Sequence, residues 1–383
     1  MTTMTGQFEL TEDQLAIQDM ARKFTADRIT PFAAQWDETH HYPVDVWKAA
    51  GELGFGGIYV SEESGGTGLG RLEAALIMEA MAYGCAATSA YISIHNMCAW
   101  MIDRFGDDAV KARYLPALVT MDKIASYCLT EPGSGSDAAA LRTTARREGD
   151  HYVLNGTKQF ISGGGYNDIY VVMVRTGDDG PKGISCVVVE KDMPGLSFGA
   201  PEKKLGWNAS PTAQVIFDNV KVPVANRIGN EGDGFTFAMA GLDGGRVNIG
   251  ACSLGGAQRC LDEAVGYVKD RRQFGKSIAE FQNIQFTLAD MATDLEASRA
   301  LLYLAAAKVS AGTPDKTRFS AMAKKLASDK GSEIVDKALQ MFGGYGYLRD
   351  YPIERFWRDL RVHRILEGTN EVMRLVIGRD LLK

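Results

Sequence analysis

The spacing of apolar residues changes twice along the chain, and this limits the fold more than any other feature. From Phe8 to about Met121 they recur at helical intervals, as in Leu15, Met20 and Phe24, then Leu72, Leu76 and Met78 to Met81. A glycine-dense loop, Ser64 to Gly70, interrupts this stretch and leads into a helix start. Near Ile124 the pattern becomes short runs rich in Val, Ile and Tyr: Tyr152 to Leu154, Ile169 to Val174, Ile184 to Val189 and Gln214 to Val222. Helical spacing returns after Gly234, in Ile284, Leu288, Met291, Leu295 and Leu302, then in Phe319, Met322 and Leu326. The expected fold class is α+β, with a helical domain over 1–122, a mainly β domain over 123–232 and an antiparallel helical bundle over 233–383.

Local signals refine this reading. Strands that follow one another without intervening helices argue against a parallel doubly wound sheet. Asn155-Gly156 reads as a type I′ hairpin turn, because both turn positions need positive φ. Gly343-Gly344 reads as a left-handed stop to the long helix before it.

Composition excludes some functions. A chain of 383 residues, 45% hydrophobic and 23% charged, has room for two or three domains with a large core. A formal charge of -6 argues against a phosphate-polymer partner such as nucleic acid, which calls for an excess of Lys and Arg. The six cysteines form no C-x-x-C pair and sit among apolar neighbours, as buried reduced thiols do, which favours a reducing compartment. The opening MTTMTGQFEL lacks a basic start and an apolar run, and no uncharged apolar stretch is long enough to span a bilayer. The expectation is no membrane span and a cytoplasmic location, or the mitochondrial matrix for a processed chain.

Few motifs carry chemistry. The five histidines are scattered, without the i, i+4 pairs or Cys partners that zinc requires, so no metal site is expected. His363, four residues before Glu367, reads as a partly buried polar contact. Gly133 to Ala138 matches G-x-G-x-x-[G/A] as a string, but a hairpin signal follows where a dinucleotide fold needs a helix and a second parallel strand. A loop whose N–H groups approach an anionic cofactor needs only the glycines and hydroxyls. Glu367 has apolar residues before it and Gly368 after it, with Thr369 or Asn370 able to cap the next helix. A loop glutamate is more often solvated. An apolar setting would raise its pKa into the range of a general base, and Gly368 would let a ligand approach the backbone.

Five strings in order, YCLTEPGSGSD (Tyr127 to Asp137), FISGG (Phe160 to Gly164), RRQFGK (Arg271 to Lys276), QMFGGYGY (Gln340 to Tyr347) and LEGTNE (Leu366 to Glu371), resemble the successive signatures of acyl-CoA dehydrogenases and span nearly the whole chain. The resemblance implies a C-terminal four-helix bundle, noncovalent FAD, a homotetramer and an electron-transfer flavoprotein as electron acceptor. It implies that Tyr127, Leu129, Thr130 and Ser136 lie along flavin or substrate, and that Phe160, Ile161 and Ser162 lie against the ring system. Many members carry Trp where Phe160 stands.

It further implies FAD contacts from Arg271, Phe274, Phe281 and Thr369, and contacts from Gln340, Gly343 and Gly344 to the FAD of a neighbouring subunit. Asp243 and Arg246 match contacts to the CoA portion, and Gly368 adjoins the substrate. Glu367 matches the catalytic base. Members that place the base immediately before the arginine matching Arg246 have a carboxylate where this chain has Gly245. Lys182 to Gly199, Val222 to Gly232 and the close of the chain are most similar to members acting on short branched acyl-CoA. Leu366, where straight-chain members often carry Tyr, points to a wider, shorter acyl pocket. Two readings compete: an acyl-CoA oxidase that reoxidises flavin with oxygen, and a noncatalytic acyl-CoA-binding or assembly protein on the same scaffold.

Overall fold

The computed structural model describes residues 9–383, so the expectation drawn from the first eight residues lies outside the described part. Six helices come first: α1 (Glu12–Arg28), α2 (Ala33–Thr39), α3 (Val44–Glu52), α4 (Arg71–Gly84), α5 (Ala86–Phe105) and α6 (Asp108–Val119). A reciprocal box starts α1: Thr11 Oγ1 accepts from the Gln14 N–H at 3.2 Å, and Gln14 Oε1 accepts from the Thr11 N–H at 3.0 Å. The buried face of α1 is Gln18, Ala21, Phe24 and Thr25, whereas Leu15 and Met20, part of the same helical periodicity, are exposed. The long helices α4 and α5 are apolar over much of their circumference because they are covered on several sides, α4 by α1, α5, α7 and α8.

Eight strands follow: β1 (Ala125–Cys128), β2 (Thr144–Glu148), β3 (His151–Ser162), β4 (Ile169–Arg175), β5 (Ile184–Glu190), β6 (Leu196–Phe198), β7 (Thr212–Pro223) and β8 (Arg227–Ile228). They form one sheet in the order β6-β7-β3-β2-β4-β5-β8, with β1 added in parallel on β4. Most pairings are antiparallel. The hairpin turn between β2 and β3 is Gly149-Asp150, not Asn155-Gly156. Asn155-Gly156 lies inside β3, where the register against β7 shifts between Leu154 and Gly156, and Gly156 has φ +147°. The positive φ that the dipeptide favours is used for a bulge.

The chain returns to helix in α7 (Gly234–Asp270), makes a small hairpin of β9 (Arg272–Gln273) and β10 (Lys276–Ser277), and continues in α8 (Gln282–Ala311), α9 (Lys316–Phe342), α10 (Ile353–Leu360) and α11 (Asn370–Leu381). α7, α8 and α9 pack on one another, and α11 closes the bundle against α9. α9 ends at Phe342, but Gly343 has φ +58° with ψ -135°, so it turns the chain into a 3-10 segment, Gly343–Tyr347, and is not a left-handed cap. α7 also lies against α4 and α5, so one apolar core runs from Trp47 and Met78 through Val247 and Leu254 to Leu302 and Val335. The six cysteines are buried and free. Among the described residues no helix is long and apolar enough to cross a membrane, and no cluster of three or more His, Cys, Asp or Glu is placed to hold a metal.

Candidate active site

Glu367 stands in the short link between a 3-10 turn, Arg361–Arg364, and α11. Its φ is +56° and that of Gly368 is +89°, so two successive residues hold left-handed backbone. For a non-glycine residue this costs on the order of 1–3 kcal/mol and persists only where the surroundings enforce it. Several contacts do so. Thr369 caps α11 by accepting from the Val372 N–H at 3.3 Å. The Lys324 ammonium of α9 donates to the Gly368 carbonyl at 2.8 Å. Asn370 Nδ2 donates to Ser328 Oγ at 3.0 Å and to Asp329 Oδ1 at 2.8 Å.

The turn aims the Glu367 side chain into a cavity of about 300 Å³. Its Oε2 is shielded from solvent and has no hydrogen-bond partner. Burial pushes the carboxyl up to about 7, against the opposing pull of Arg246 and Lys324. The carboxylate lies against α7 at Gly245, where an added Cβ would stand 2.4 Å from Oε2, so even alanine would displace it. On the same helix Arg246 NH1 donates to Asp243 Oδ1 at 2.9 Å, and Thr317 Oγ1 donates to Asp243 Oδ2 at 2.6 Å.

Facing Glu367 across the cavity are Tyr127, Leu129, Thr130 and Ser136 from the end of β1 and the loop after it, and Phe160, Ile161 and Ser162 from the end of β3. Phe160 has φ +58° and is 64% exposed, an apolar ring held outward by strained backbone. The Tyr127 hydroxyl is buried without a partner. The loop after β1 is fastened by Glu131, which accepts from the Arg142 and Thr143 N–H groups at 2.7 and 2.9 Å and from Lys158 Nζ at 2.8 Å. An added Cβ at Gly133 or Gly135 would meet nothing, so this edge is open. No helix of Rossmann type follows it: a 3-10 turn, Ala138–Ala140, leads to the antiparallel β2–β3 hairpin.

Thus Tyr127, Leu129, Thr130, Ser136, Phe160, Ile161, Ser162, Arg246, Glu367 and Gly368 meet around one cavity. Asp243 is buried behind Arg246, and Thr369 serves as a cap; neither lines the cavity. Arg271, Gln340, Gly343 and Gly344 line a second cavity of about 420 Å³ at another end of the bundle. There Arg271 lies over the Tyr345 ring at 5.6 Å. Phe274 is at the tip of the β9–β10 hairpin, 92% exposed, and meets Phe281 edge-on at 6.2 Å.

Spacing did not reveal several contributors. Ile94 and Met97 of α5, Phe235, Met239 and Leu242 of α7, and Val372 of α11 form the apolar wall of the first cavity. Leu366, expected to shape the acyl pocket, packs against the helical core. His363 is fully buried, with Nδ1 at 2.8 Å from Ser253 Oγ. A helical face of mixed Ile, Met and Phe was the available signal for the apolar wall, but any core helix carries the same one.

The arrangement fits a flat aromatic cofactor and a thioester side by side. The wall from β1 and β3 supplies an exposed ring and small hydroxyls, and the opposite wall supplies a carboxylate of raised pKa with a free oxygen. Comparison with known proteins points the same way. Three family models match in order: "Acyl-CoA dehydrogenase, N-terminal domain" over 11–122, "Acyl-CoA dehydrogenase, middle domain" over 126–220 and "Acyl-CoA dehydrogenase, C-terminal domain" over 232–382. A mitochondrial isobutyryl-CoA dehydrogenase of Dictyostelium discoideum is 58% identical, across 98% of this chain and 90% of its own. Butyryl-CoA dehydrogenase from Megasphaera elsdenii superposes with a TM-score of 0.95 at 40% identity, covering 98% of this chain and all of that one. A chain from a structure described for the electron transferring flavoprotein of Acidaminococcus fermentans superposes with a TM-score of 0.96 at 44% identity, covering 98% and 99%.

Proposed function

Because the chain belongs to the acyl-CoA dehydrogenase family, we propose that Glu367 is the base that removes the α-proton from a short, branched acyl-CoA, with isobutyryl-CoA, giving methacrylyl-CoA, as the preferred substrate. The observation that carries this reading is the Glu367 carboxyl facing the cavity, with Oε2 shielded from water and unpartnered and its pKa raised to about 7. FAD, when bound, supplies a hydride acceptor for the β-carbon, which no side chain can offer.

The chain's own residues do the rest. Proton removal builds negative charge on the thioester oxygen, and fixed donors there lower the barrier. Among the described residues the Glu367 N–H has no acceptor, so it is free to serve as such a donor. Tyr127, Leu129, Thr130 and Ser136 with Phe160, Ile161 and Ser162 would hold the flavin ring and the acyl end. Arg246 and Asp243 would serve the CoA portion, and Gly368 would allow the thioester to approach the backbone. Arg271, Phe274, Phe281 and Thr369 would hold the remainder of FAD.

Gln340, Gly343 and Gly344 would reach the FAD of a neighbouring subunit in a homotetramer. Electrons would leave to an electron-transfer flavoprotein, and the reaction would belong to valine degradation, in a reducing compartment that suits six buried thiols.

Anaerobic mixing of the yellow holoprotein with a panel of short acyl-CoAs tests this. Isobutyryl-CoA should bleach the flavin fastest, and the reduced colour should persist in air until an electron-transfer flavoprotein is added. Faster bleaching by butyryl-CoA or 2-methylbutyryl-CoA would overturn the substrate, and rapid recolouring in air would indicate an oxidase. Glu367→Gln should keep FAD and ligand binding yet bleach ~10²–10⁴-fold more slowly. A near-normal rate in that variant would mean that another base operates.

A further inference from the structure

We propose that Lys324 is a positioning residue for the base: its ammonium holds the Gly368 carbonyl, and through it the left-handed turn that aims both the Glu367 carboxylate and the Glu367 N–H at the substrate. The inference rests on Glu367 acting as the base, as set out above.

Lys324 is on α9 with none of its side chain exposed. Its Nζ donates to Gly368 O at 2.8 Å and to Asn370 Oδ1 at 2.9 Å. Among the described residues no carboxylate lies within ion-pair distance of it, so this is a buried cation held by neutral oxygens. Such a charge is costly to bury, since desolvation is offset only in part by dipoles. An apolar side chain of the same length would fill the space but leave the Gly368 carbonyl without its donor, so what the lysine supplies here is the hold on the turn.

The contacts tie it to the turn. Gly368 O is the carbonyl immediately after Glu367, and Asn370 is the first residue of α11. Both contacts lie on the C-terminal side of Glu367, at Gly368 and Asn370, and by anchoring the residue next to it they oppose its relaxation from φ +56°. Ser328 and Asp329, one turn further along α9, hold Asn370 from the same side.

Lys324 also acts through charge. The charged groups around the Glu367 carboxylate are Arg246 from α7 and Lys324 from α9; the neutral Tyr59, Tyr127, Cys98 and Cys252 come from the N-terminal helical part, β1, α5 and α7. Arg246 is paired with Asp243, which screens it. Lys324 makes no such ion pair; Asp329 and Glu371 act on it only at longer range, and its charge adds to the larger pull of Arg246 in keeping Glu367 ionisable in an apolar wall. Burial in turn lowers the Lys324 pKa to about 8, with Glu367 pulling it back up.

Exchange of the substrate α-hydrogen in D₂O, followed by mass across pH 5–10 on FAD-loaded protein, tests this. It reads proton abstraction separately from hydride transfer. Lys324→Met should lower exchange at pH 7 about tenfold or more and move its acid limb up by roughly one pH unit, with KM little changed. Lys324→Gln keeps a donor without the charge, and should recover part of the rate while leaving the limb displaced.

Asn370→Asp sets a carboxylate in hydrogen-bond reach of Nζ and should also raise the limb. It decides the matter if neither lysine variant retains FAD. A wild-type pH profile in the variants that retain FAD would overturn the role of Lys324, even if their melting temperatures fall. No exchange in the wild-type protein, or undiminished exchange in Glu367→Gln, would instead overturn the assignment of the base.

Discussion

As the proposed base, Glu367 must be ionised to take a proton, yet its surroundings favour the neutral acid. Because burial sets its pKa at about 7, kcat/KM should fall roughly tenfold per pH unit below that value. A pH series over 5–9 checks this. The same shift predicts a stability effect of opposite sense. A carboxyl whose folded pKa exceeds its unfolded one contributes stability that is complete below about pH 4.5 and is lost as pH rises through about 7. Glu367→Gln never ionises, so urea melts should show it gaining on the wild type as pH rises to 7 and above, by about 3 kcal/mol, with the gap closing in acid. Glu367 itself was legible because a glycine and a helix-capping threonine follow it in a recognisable string. Lys324 was not: it lies 44 residues from Gly368, and a lysine within an amphipathic helix reads as solvent-facing.

At the scale of elements, the ends of β1 and β3 carry the cavity wall opposite Glu367, and a buried ion pair fixes their relation. Lys158 on β3 is fully buried, and its Nζ donates to Glu131 Oε1 at 2.8 Å and to Leu129 O at 3.1 Å. Burial raises the Glu131 pKa, but Lys158 and the two amides outweigh it and hold it below the usual carboxylate range. Lys158→Met would strand that carboxylate, and should cost about 3–5 kcal/mol in urea unfolding and loosen the loop carrying Thr130 and Ser136. Four of the eight strands of the main sheet were visible as apolar runs; β2, β6 and β8 were not, being short or mixed in polarity. Of the two positive φ values expected at Asn155-Gly156 only that of Gly156 is present, and it serves a bulge, since local preference does not say whether a partner strand continues past it.

At the scale of the molecule, the helical–β–helical order was plain from periodicity, but the union of the first and last helical parts in one core was not, because spacing shows a face and not what covers it. Most of the motif residues fall around two cavities, with Asp243, Thr369, Phe274 and Phe281 outside both. If the second cavity completes a neighbour's FAD site, Phe274→Ser combined with Tyr347→Ser should weaken subunit association and increase FAD release on dilution roughly tenfold or more, at unchanged acid-limb pKa. Sedimentation with absorbance at flavin wavelengths reads both at once. The six cysteines, finally, turn the fold into its own clock. Cys85, Cys98, Cys252 and Cys260 are sealed among the helices and Cys128 and Cys186 within the sheet, so a maleimide can label each only when its own layer parts. Peptide-resolved labelling times would rank how often each layer opens, with no probe added to the sequence.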